Sequence, residues 1–194
     1  MGSLRLMVWG LVSGLATSAI VTFWPETWTY APGIIFGATL AGSFVPDIFK
    51  TKLGLRSTLK IFGFLAISII AYRLALAAAE WVLGASGFAT FASYASPAAE
   101  SALYVATFVG GCIGSSILSA GIRLLFFRFN LIRGIFIFAI AAGALGSIIT
   151  VGFEAFGFIP QFLFPVWHLG MTAVIMYLYK NEGKMELAEE EGNK

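Results

Sequence analysis

Long apolar runs separated by short polar or proline-marked breaks fill this chain from Leu4 to Tyr179. A hydrocarbon layer about 30 Å thick is crossed by about 20 helical residues. Six segments meet that length: Leu4–Phe23, Ala31–Phe49, Leu59–Leu83, Ala98–Ile122, Leu131–Phe153 and Gln161–Tyr179. Trp24-Pro25-Glu26 closes the first and Pro46-Asp47 the second, while Pro97 and Pro160 precede the fourth and sixth. Pro32 falls in the first turn of the second, where a missing N–H costs nothing. The pattern predicts an all-α bundle over residues 1–180 followed by a charged tail at 181–194. The first run extends to Trp24, too long for a signal peptide's apolar region, and does not end in a small-x-small cleavage site, so it reads as a retained helix.

The cations give this pattern a direction. Lys50, Lys52, Arg56 and Lys60 lie between the second and third runs, and Arg123, Arg128 and Arg133 between the fourth and fifth. Arg5 precedes the first run, and Lys180, Lys184 and Lys194 follow the sixth. The three other connections hold no Lys or Arg, so the cations alternate at every crossing as the positive-inside rule requires. Six spans with both termini cytoplasmic are therefore expected, in the cell membrane. Trp24, Trp28 and Tyr30 fit an interfacial aromatic belt on the outer side. The uncharged stretch Gly84–Ser96 reads as a connector, or as a piece that dips back to cap a cavity.

Composition agrees with a lipid-solvated chain. Of its 194 residues, 59% are hydrophobic and 11% charged. Soluble domains carry about 25% charged residues. The net charge is only +2, and no basic patch interleaved with aromatics marks a nucleic-acid surface. The single cysteine, Cys112, has no partner for a disulfide within the chain and reads as a packing thiol.

Small residues recur four apart in several runs: Gly10, Gly14 and Ser18 in the first, Gly110 and Gly114 in the fourth, Gly143 and Ser147 in the fifth. This spacing lets backbones approach closely where no water drives association. The stripes serve packing within the bundle, or in the first run the docking of a helix from another subunit. The stretches around Gly14 and Gly143 also share their spacing, and each is followed by a glutamate, Glu26 or Glu154, and a proline-led helix, as a duplication would leave.

Ionisable groups at membrane depth are functional candidates by default. Arg73 and Glu80 are seven residues apart in the third run and share a helix face. Glu100 opens the fourth run, Glu154 ends the fifth, and His168 lies about two turns into the sixth. All fall in the outer half, where with Tyr72 and Trp167 they are the candidate lining of an outward-facing pocket for a small polar or anionic solute. Against this, Arg73 can snorkel outward, and the other groups can serve as helix ends or packing.

Gly84-Ala85-Ser86-Gly87 resembles the G-x-S-G of rhomboid proteases, six-span proteins with a histidine on the sixth span, a place matched here by His168. The likeness covers only these residues. Ser86 lies well ahead of the fourth run, the histidine is followed by Leu169-Gly170, and the second run holds neither His nor Asn. An enzyme is not expected. A lone histidine does not furnish the two axial ligands of a haem b, the His, Asp and Glu residues lack metal-site spacing, and no phosphate loop is present, so no cofactor or metal is expected. The size, even span count and glycine-rich first run are similar to the substrate-binding subunits of energy-coupling-factor vitamin transporters, a likeness of architecture without a shared motif. A small-solute transport protein, or the binding subunit of one, is thus the first expectation. A structural or assembly subunit of a larger membrane complex is the second, and the partners expected beside lipid are other membrane subunits or further copies of the chain.

Overall fold

The computed structural model describes residues 3–44, 55–85, 97–156 and 160–181. Six α-helices run through them: α1 (Ser3–Phe23), α2 (Ala31–Phe44), α3 (Leu55–Ala85), α4 (Pro97–Leu125), α5 (Leu131–Phe156) and α6 (Pro160–Asn181). A single 3-10 turn, Pro25–Thr29, joins α1 to α2. Residues 45–49 of the expected second span and the stretch 86–96 lie outside the described residues. Proline opens α4 and α6, where its fixed φ suits a first turn. Asn130 starts α5 by accepting a hydrogen bond from the Arg133 N–H at 3.1 Å, which satisfies one of the orphan donors of that terminus.

Neighbouring helices run antiparallel, and each packs on its neighbours in sequence until α6 closes back on α1. The register is set where side chains are missing. A Cβ on Gly14 would collide with the backbone of Phe164 and Pro165, and one on Gly10 with the side chain of Thr172. The stripe of α1 therefore faces α6 of its own chain, leaving that face unavailable to another subunit. Gly110 and Gly114 lie against Ala75 and Ala71 of α3, and Gly143 and Gly146 against Phe108 and Thr107 of α4. The Ser147 hydroxyl bonds back to the Gly143 carbonyl at 3.1 Å, while Ser18 is buried on α1.

Apolar and polar positions are distributed as lipid, not water, would have them. The core draws on every helix, with Leu6, Phe36, Phe64, Ile122, Phe138 and Ile175 nearly free of solvent contact. The same interior holds Ser13, Thr17, Ser68, Ser115, His168 and Thr172. Outward stand Leu11, Leu15, Phe62, Ile70, Trp81, Phe136 and Ile140. That much exposed apolar surface on one chain marks a surface covered by something other than water. Three helices, over Leu4–Phe23, Ser57–Ala85 and Ser101–Leu125, are long and apolar enough to cross a membrane. At one end of the bundle, where α1 begins and α6 finishes, aromatic rings interlock: Phe44 stacks on Phe126 at 4.5 Å, Phe126 meets Phe64 edge-on, and Phe127 meets Tyr179.

Adding one methyl group at the α1–α6 contact is expected to force the two backbones apart. Gly14→Ala should cost about 1–3 kcal/mol, the usual penalty for overpacking. Gly84→Ala, where a Cβ meets nothing within 4 Å, should leave thermal unfolding in detergent unchanged. Equal melting temperatures for the two variants would refute the contact.

Candidate functional site

His168 is 1% exposed, enclosed by α1, α2 and α6. Its Nδ1 lies 2.8 Å from the Ser13 hydroxyl, and that hydroxyl is 3.0 Å from the Gly10 carbonyl. The pair forms one consistent chain when Nδ1–H donates to Ser13 Oγ and Ser13 O–H donates to Gly10 O, since a hydroxyl has one proton to give. Around it each helix satisfies its own hydroxyls. Thr17 Oγ1 donates to Ser13 O at 2.8 Å, and Thr172 Oγ1 to His168 O at 2.7 Å. Three aromatic rings pack against the imidazole: Phe36 at 4.6 Å, Trp167 at 5.6 Å and Phe164 at 6.0 Å between centroids. Trp167 also meets Phe36 edge-on at 5.4 Å.

The other helix contacts carry polar links of the same kind. Ser68 Oγ donates across to Gly33 O of α2 at 2.8 Å, and Cys112 Sγ reaches Ala139 O of α5 at 3.4 Å. Ser119 Oγ on α4 is buried without a hydrogen-bond partner among the described residues. Tyr72 is half-buried on α3, its Cβ beside Gly33.

Arg73 and Glu80 also share a face of α3, but that face is exposed and points away from the bundle interior. No described residue pairs with either one. Glu100 lies in the first turn of α4 and Glu154 in the last turn of α5, and their side chains are outside the described residues, as is Ser86. The structure therefore brings His168 and Trp167 together with Ser13 and Phe36, and it separates them from Arg73 and Glu80. Among the described residues no group of three His, Cys, Asp or Glu side chains could hold a metal ion.

Ser13 and Phe36 were not singled out as partners of His168 by sequence reasoning. The signal that points to Ser13 is its place beside Gly10 and Gly14 in the stripe where a second helix comes closest. Phe36 has no comparable signal, because nothing distinguishes it among 19 phenylalanines. The chain matches no protein-family model, no curated protein and no solved structure.

Ser13→Ala removes the side-chain hydrogen-bond partner of a sealed imidazole. Leaving a buried polar group unpaired costs about 1–3 kcal/mol, so this variant should unfold at lower temperature or denaturant. Thr22→Ala, which removes only a local bond to Ser18 O on a surface position, should not. A Ser13→Ala protein as stable as its parent would show that the bond contributes nothing.

Proposed function

We propose that this chain is an integral membrane protein whose six helices all cross the bilayer with both termini cytoplasmic. We further propose that it works as a non-catalytic subunit of a larger membrane assembly. The topology is supported by how the antiparallel helices sort charge. Arg5, Lys60, Arg123, Arg128, Arg133 and Lys180 all fall at the end of the bundle where α1 begins. The acids Glu26, Glu80, Glu100 and Glu154 fall at the opposite end. A one-sided set of cations is the arrangement that fixes orientation during insertion.

The assembly role rests on one observation, the uncovered charged face of α3. Only 17% of the apolar window of this helix is buried, against 39% for α1 and 44% for α4. The exposed faces of α1 and α5 present Leu11, Leu15, Phe136 and Ile140, as hydrocarbon favours. α3 instead presents Arg73 and Glu80 among Ile70, Leu74 and Trp81. A cationic side chain costs up to about 2.5–3.5 kcal/mol on insertion scales, the value at the centre of a membrane helix, and less toward the outer half where Arg73 lies. A second subunit laid over this face removes that cost. The transport reading requires Arg73, Glu80, Tyr72, Trp167 and His168 around one cavity. Their division between the interior and the outer face favours the assembly reading.

Native mass spectrometry of protein extracted gently from its own membrane tests the role. Other membrane proteins in fixed stoichiometry are expected. A lone chain carrying a small non-lipid molecule would overturn the assembly reading and favour transport. Topology is checked separately by cysteine accessibility in a Cys112→Ser background. Gly54→Cys should react only from the cytoplasmic side and Thr90→Cys only from outside, and the reverse pattern would refute the orientation.

A further inference from the structure

The exposed stripe of α3 has a composition that specifies what covers it. Ala66, Ile70, Arg73, Ala77, Glu80 and Gly84 follow one another at spacings of four and three, and every one is exposed. That is the repeat of a helix seam that packs along a second helix at a shallow angle. Ala66, Ala77 and Gly84 are small enough for close approach, and the space beside Gly84 is open. α3 is 31 residues long. Arg73 lies about 27 Å along it from Leu55, and Glu80 about 10 Å further. With Trp81 at the outer interface, Arg73 lies within the hydrocarbon layer and Glu80 at its boundary.

Resting on the assembly reading above, we propose that this seam docks a transmembrane helix of a different protein, one carrying a carboxylate at the depth of Arg73. A second copy of this chain does not fit. Copies inserted in the same direction would set Arg73 level with Arg73 and Glu80 level with Glu80, placing like charges together. Opposed copies would pair Arg73 with Glu80, but the one-sided cations hold every copy in the same orientation. A foreign helix with an acid at that level neutralises the guanidinium and completes the seam. The carboxylate takes the two-pronged hydrogen bonding for which a guanidinium is shaped.

A photo-crosslinking phenylalanine analogue placed at Ala77, between the two charges, tests this in the full chain within its own membrane. The expected adduct is a membrane segment of another protein, with an Asp or Glu within one heptad of the crosslinked residue. Its yield should fall at least about tenfold in Arg73→Glu, since breaking a buried charge pair costs that much or more, and should persist in Arg73→Lys. Thermal unfolding of the Arg73→Glu chain should match the parent, which separates lost docking from lost folding. Crosslinking to a foreign segment without an acid would overturn this partner while leaving the assembly reading intact, and crosslinking to a second copy would overturn both. Adducts with lipid alone would overturn both.

Discussion

Where Gly14 of α1 meets the backbone of Phe164 and Pro165, two helices come closer than any side chain permits, and the ring of six closes there. In a solvent of acyl chains no hydrophobic force drives helices together, so dispersion between closely fitted backbones and bonds between polar side chains must do so. The same device recurs around the ring, where Gly33 of α2 meets α3, Gly110 and Gly114 of α4 meet α3, and Gly111 of α4 meets α5. The large side chains fill the space the ring encloses, and the aromatic cluster at one end joins the tips of α2, α4 and α6.

Because α1 and α6 approach so closely, Ser13 is carried within hydrogen-bond reach of His168. An imidazole sealed among Phe36, Phe164 and Trp167 has no water to turn to, so its partners must come from the helices beside it. Ser13 supplies such a partner, and its own proton, like those of Thr17 and Thr172, returns to a backbone carbonyl. Close packing and polar satisfaction are therefore one arrangement in this part of the bundle. Separating the helices would leave the buried imidazole without its Ser13 partner.

α3 departs from this economy. Its inner side packs through Ala71, Ala75 and Ala79 against α4, while its outer side presents a cation and an anion along a seam that no described residue covers. Charged groups within apolar helices are tolerated where they meet a partner or reach a polar surface. On α1 and α5 the exposed cations Arg5 and Arg133 stand in the first turn, whereas α3 carries its exposed charges well along the helix.

Much of this was legible in the sequence. The apolar runs from Leu4 to Tyr179 fall on the six helices, and Pro97 and Pro160 open α4 and α6 as first-turn prolines do. These are local properties, written in run length and proline position. Which way each residue faces was not legible. A helix apolar on every side has no polar stripe to reveal its inner face. Along such a helix Arg73 and His168 look alike as isolated ionisable groups at membrane depth. Sequence spacing correctly put Arg73 and Glu80 on one side of α3, since that depends only on 3.6 residues per turn. Whether that side turns inward or outward depends on where Gly110 and Gly114 of a distant helix fit, and only the tertiary packing decides it.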